Sequence, residues 1–154
     1  MAKSHQAKGQ ASFEYILIIA LTFAIIVPTT YLFYSYSKES AQEITDAQIT
    51  KIGRSIIDAS ETIFYSGTGS KTTLDLNIPN NIINVAIIDG RELVFNVTTS
   101  SGISEILFFS SVNLTTDGSN CNINVCSIPG LPGEGLKQVK IESVSKDSVS
   151  VKTV

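Results

Sequence analysis

The chain has no tryptophan, one methionine and one histidine, His5, and its only cysteines are Cys121 and Cys126. With a single imidazole, histidine-based acid–base chemistry and most metal sites lack their usual ligands. Charge is sparse as well, at 16% of residues, and the nine lysines and two arginines are spread along 154 residues for a formal net charge of -3. That pattern supplies none of the basic clustering that neutralises phosphates, so nucleic acid is not expected as a partner. No G-x-x-x-x-G-K-[ST] loop is present to hold a nucleotide. The acids Asp75, Asp89, Glu92 and Glu105 show no pairing pattern for acid and base, and serines such as Ser12 and Ser35 have no base beside them. The expectation is a protein that is not an enzyme and needs no cofactor or metal.

What the chain does have is serine and threonine at 34 positions and isoleucine at 21, a mixture typical of β-rich surfaces. Its length suits one ordinary domain plus an appendage. The appendage is plain in the first forty residues. Residues 15–37, YILIIALTFAIIVPTTYLFYSYS, carry no formal charge, and as a helix they extend about 35 Å, enough for the hydrocarbon core of a bilayer. The run is longer than the roughly 7 to 15 apolar residues of a cleavable secretory signal, and it ends Tyr31-Leu32-Phe33-Tyr34 with no small-residue cleavage site. Lys3 and Lys8 precede it and Lys38 follows. Basic flanks tend to stay inside, which places the N-terminus in the cytoplasm and everything after Lys38 outside.

Glu14 stands at the start of this run. One reading puts it in the headgroup region, where it favours the helix dipole; the other has it waiting for a cationic partner, because a carboxylate at membrane depth costs a few kcal/mol unless paired. The residues around it sharpen the second reading. Residues 8–17, KGQASFEYIL, resemble the leader junction of archaeal type IV pilin-like precursors, the class III group whose signal has Gln, Ser and Glu at alternate positions before the apolar helix. Here these are Gln10, Ser12 and Glu14.

The resemblance implies a leader, residues 1–9, removed by a membrane prepilin peptidase between Gly9 and Gln10. It implies that Glu14 pairs with the new amino group of Gln10 on a neighbouring subunit, and that copies assemble into a helical homo-oligomeric filament used for adhesion. The filament would need an assembly ATPase and a platform protein, both separate chains. The precursor would sit in the membrane with its head outside, and the product would be a surface filament. A minor, membrane-anchored binding module and a subunit of an archaellum-type motility filament are the alternatives. Pro28 removes a helical hydrogen bond. Thr29 and Thr30 are expected to satisfy the freed carbonyls in part, and residues 24–30 are the place where the helix would bend or open.

Beyond Lys38, Ile49, Ile52, Ile56, Ala59 and Ile63 recur at spacings of three and four, with Ala41 and Ile44 leading in, so an amphipathic helix continues over residues 38–66. Ser66-Gly67-Thr68-Gly69 ends it. The remainder, residues 70–154, is read as a β-rich antiparallel head covering the isoleucine stripe, giving an α+β fold of type IV pilin-like layout. Alternation predicts strands over 72–78, 82–88 and 92–98 as a meander, with Asp89-Gly90 as a two-residue hairpin turn. A central strand is expected over 105–114, since residues 106–109 are apolar on both faces. Two more strands close the head, over 135–144 and 148–154. Between the central strand and this closing pair, residues 117–135 read as an irregular excursion whose Cys121 and Cys126, facing outward, are expected to form a local disulfide. Two sequons, Asn96-Val97-Thr98 and Asn113-Leu114-Thr115, are candidate glycan acceptors.

Overall fold

The computed structural model of the chain describes residues 5–116 and 121–154, with side chains from Phe13 onward. Among the described residues one helix, α1 (His5–Tyr65), precedes nine strands. The fold is α+β. The chain divides into two compact units, the first ending at Ala41 and the second running from Gln42 to Val154.

Pro28 is the only proline within α1. The hydroxyls of Thr29 and Thr30 donate to the carbonyls of Ile25 and Ile26 at 2.7 and 2.8 Å. They therefore do not serve the Ala24 carbonyl, which is the acceptor that Pro28 leaves without its i+4 donor. The helix stops as expected: Gly67 adopts a φ of 97°, which an L side chain rarely adopts, and its N–H donates to the Phe64 carbonyl at 3.2 Å. Gly69 then donates to Ser143, tying the exit of α1 to the sheet.

The strands are β1 (Lys71–Ile78), β2 (Ile82–Ile88), β3 (Glu92–Thr99), β4 (Gly102–Phe109), β5 (Asn113–Thr115), β6 (Cys121–Asn122), β7 (Val125–Ser127), β8 (Gly135–Ser143) and β9 (Ser148–Thr153). They form two sheets, ordered β1-β8-β9-β5 and β4-β3-β2-β7-β6. The meander expected from β1 to β3 is therefore displaced by one strand. Lys71 pairs with Glu142 and Ile78 with Gly135, so β1 joins the C-terminal hairpin, while β2, β3 and β4 make the meander. Nor is the head wholly antiparallel, since β5 runs parallel to β9. The expected strand over 105–114 is two strands on different sheets, and β4 is an edge rather than a centre. Its apolar residues do alternate: Ile106 and Phe108 pack on the core, but Leu107 is 44% and Phe109 70% exposed. The Asp89-Gly90 turn is present, both residues at positive φ, with Arg91 as a third loop residue before Glu92 pairs with Ile88.

Both sheets turn one face to a single core. Val85, Ile87, Leu93 and Phe95 from one sheet, and Val139, Ile141, Val149 and Val151 from the other, are inaccessible or nearly so. From α1 the same cluster receives Ile49, Ile52, Ile56, Ile57 and Ile63. Burying each such side chain fully contributes about 1.5–3 kcal/mol. The lead-in residues Ala41 and Ile44 do not share this burial, Ile44 being 60% exposed; a helix face is buried only where something packs on it, and here that begins at Ile49. Glu61 further fixes the helix by accepting hydrogen bonds from the backbone N–H and hydroxyl of Ser111 at 3.2 and 2.8 Å.

Gly53 sits inside this helix although glycine weakens helix interiors. The reason is Phe108: a Cβ on Gly53 would run into the aromatic ring, which is itself held edge-on against Phe95 at 5.7 Å between centroids. Replacing Gly53 by alanine should gain about 1 kcal/mol in helix propensity but cost roughly 1–3 kcal/mol in overpacking. The expected net result is destabilisation, read as a lower midpoint in denaturant unfolding of the full chain in detergent. Phe108→Leu in the same chain should recover part of the loss, whereas stabilisation by Gly53→Ala alone would contradict the close approach.

Candidate functional site

In the first unit, the described side chains of α1 from Phe13 to Tyr36 are exposed. From Phe13 to Tyr36 the large apolar residues range from 39% exposed at Ile19 to 74% at Phe33. The helix is long and apolar enough to cross a membrane. A single charge, Glu14, lies between Lys8 and Lys38, and its side chain is exposed at the N-terminal end of the apolar surface. Gly9 and Gln10 fall within the helical backbone, so the helix begins before the expected cleavage point. The side chains of Gln10 and Ser12, on which the processing motif also depends, lie outside the described residues.

Tyrosines bracket the apolar stretch, a feature the sequence reading passed over. Tyr15 stands at one end and Tyr31, Tyr34 and Tyr36 at the other, all exposed. The rise from Tyr15 to Tyr34 is about 29 Å, close to the roughly 30 Å thickness of a hydrocarbon core. Tyrosine favours membrane interfaces because its ring is apolar and its hydroxyl seeks water. Lys38 lies over the Tyr34 ring, its Nζ 4.7 Å from the centroid, so the first cation after the run is held at the same end. This repeated placement of rings, visible as Y-x15-Y-x2-Y-x-Y in the sequence, was the signal that would have found it.

In the second unit, Cys121 and Cys126 are directly opposed in β6 and β7, Cα atoms 4.0 Å apart, and joined as a disulfide. The excursion expected to be irregular contains regular structure: β6 and β7 form a hairpin, and β7 extends the sheet by pairing with β2. Residues 117–120 of the excursion lie outside the described residues. At the hairpin tip Ile123 takes a φ of 54°, uncommon for a β-branched residue, and is 95% exposed. Asn124 offers its carbonyl to the Asp89 N–H at 2.9 Å, pinning the tip to the β2–β3 turn.

The two sequons sit differently. Asn113 is exposed at the start of β5. Asn96 lies mid-strand in β3, and its Oδ1 is buried without a hydrogen-bond partner. A cleft of about 420 Å³ between α1 and β1 is lined by Lys51, Ile52, Ser55, Leu74 and Asp75, among others. Among the described residues no cluster of His, Cys, Asp or Glu is arranged to hold a metal ion. Compared with protein-family models, curated proteins and solved structures, the chain matches none.

Two outcomes follow for this unit. Replacing both cysteines by serine should lower head stability by about 2 kcal/mol, the chain-entropy value for so short a loop, measured by denaturant unfolding with and without reductant. Where glycan is attached, peptide mass mapping should find it on Asn113 and not on Asn96.

Proposed function

We propose that this protein is a structural subunit of a type IV pilus-like filament, anchored in a membrane before assembly through α1 and packed through the same helix afterwards. The observation that carries this reading is the exposed apolar surface from Phe13 to Tyr36 with one carboxylate, Glu14, at its N-terminal end. Lipid suits the apolar side chains. A carboxylate among them calls for a cation, and none lies between Lys8 and Lys38 in the same chain. Packing helices side by side covers the same surface without lipid.

Cleavage between Gly9 and Gln10 supplies the missing charge. It makes a new ammonium group at residue 10 and removes Lys3 and Lys8. The uncut helix carries no acid in its first turn; the cut one would begin one turn before Glu14, where its carboxylate favours the helix dipole. An ammonium from one copy against Glu14 of the next then fixes their axial register, since a buried carboxylate is tolerated when paired. The long apolar helix followed by a sheet-built head is consistent with a pilin layout. Adhesion is the role proposed for the assembled filament, with the head and its disulfide-pinned hairpin on the outside. The subunit itself is proposed to catalyse nothing.

Intact-mass and N-terminal analysis of sheared surface filaments should give a chain beginning at Gln10 and two mass units lighter than the reduced form. Glu14→Gln should leave cleavage and membrane insertion largely intact and abolish filaments seen by electron microscopy. A chain beginning at Met1 or Ala2 and confined to membranes would replace the filament reading by that of an anchored binding module.

A further inference from the structure

The two sheets share one core, so each has a second face turned away from it, and these two faces differ in charge. None of the five strands β4, β3, β2, β7 and β6 contains a lysine or arginine, while β3 and β4 carry Glu92 and Glu105. Register sets Phe109 beside Glu92, Leu107 beside Val94, and Glu105 beside Asn96. Val94 pairs in turn with Ala86 of β2. Both are buried yet stand outside the core cluster, so this outer face carries an apolar strip of its own, bordered by two carboxylates that form no ion pair among the described residues.

The other sheet is the reverse. Its four strands hold four lysines and two acids. On the face away from the core, Lys71 pairs with Glu142 and Lys140 with Lys152. Among the described residues Glu142 forms an ion pair with one of the three cations, Lys140, at 2.5 Å. The hydrogen bond and charge of Lys140, with the charges of Lys152 and Lys71, hold the Glu142 carboxyl below the usual carboxylate range. Asp75, the other acid, accepts a hydrogen bond from Gln138 at 2.9 Å. Leu136, 72% exposed, adds an apolar site to this basic face.

We propose that the acidic, apolar face of the β4-β3-β2-β7-β6 sheet docks on the basic face of the β1-β8-β9-β5 sheet of a second copy of this chain. Glu92 and Glu105 meet Lys71, Lys140 and Lys152, and Leu107 and Phe109 cover Leu136. The occupant is a second copy because the complement of each face, in charge and in apolar content, is carried by the same head. The two faces are different patches, so the contact is heterologous: a docked pair leaves one face of each kind open, one on each copy, and addition continues rather than closing as a two-fold pair. That open-ended geometry deepens the filament reading and rests on it for its biological setting.

The test uses two tagged full-length chains co-expressed in the same membranes, one bearing Leu107→Cys and the other Leu136→Cys, both exposed positions, joined by a short flexible bismaleimide. The mixed dimer should dominate over either homodimer. Adding Glu92→Lys and Glu105→Lys to the first chain should lower its yield about tenfold, and adding Lys140→Glu and Lys152→Glu to the second should restore it, as reversed charges repel and re-pair. Predominant homodimers, or no mixed dimer while filaments form, would overturn the proposal. A mixed dimer in membranes that never yield filaments would keep this contact and remove the filament reading instead; no mixed dimer in such membranes would remove both.

Discussion

The head exists because one face of α1 is covered and the rest of the structure depends on that cover. Ile49 and Ile56 have no accessible surface, and with Ile52, Ile57 and Ile63 they complete a cluster to which both sheets contribute. Neither sheet is large, and three of their strands hold only two or three residues. Sheets of this size need a partner on their apolar face to be stable. The helix provides it, and Gly53 lets the backbone of α1 come close enough for the Phe108 ring to fill the gap. The same helix leaves its side chains from Phe13 to Tyr36 exposed. One secondary structure serves both settings because a helix satisfies its backbone groups internally, in water, in protein or in lipid, and side chains alone decide the surroundings.

Much of this was legible in the residues themselves, for reasons that also explain what was not. Period-two alternation marks β1, β2 and β3 within a residue or two, and the Asp89-Gly90 pair predicts the β2–β3 hairpin because it dictates local backbone angles. The partner of β1 was beyond reach: Lys71 pairs with Glu142 across most of the head, and alternation says which face is buried without saying what lies alongside. Residues 106–109 misled in an instructive way. A strand apolar on both faces reads as central, but β4 is an edge whose outer residues Leu107 and Phe109 remain exposed. Such a surplus of apolar side chains on an open face is the kind of sequence feature that intermolecular packing explains.

The candidate site divides along the same line. The uninterrupted apolar run and the lone Glu14 were evident from composition, because membrane length and charge are properties of a segment rather than of a fold. The cysteine pair was evident from spacing and is found opposed in neighbouring strands. Gly53 and the strained tip residue Ile123 were invisible, since each matters only through the geometry of residues far from it or through a backbone angle. The processing motif at Gln10 and Ser12 rests on resemblance, and the side chains that would give it a geometry lie outside the described residues.

Assembly through the helix changes what the head faces must accomplish. If α1 holds copies together through its apolar surface, neighbouring heads are brought to high effective concentration, and an interface between them that would be negligible between free molecules becomes populated. Exposed ion pairs are individually weak, so their role in such a contact is selection rather than affinity: like-charged faces are refused and opposite faces are accepted. A head built from one acidic and one basic sheet face would therefore stay unassociated while copies are dilute in a membrane, and would choose a single register once the helices gather. High salt, which screens exposed charges over roughly 3 Å at molar strength, would then loosen the order of the heads before it loosened the apolar packing of the helices, because the two contacts depend on different forces.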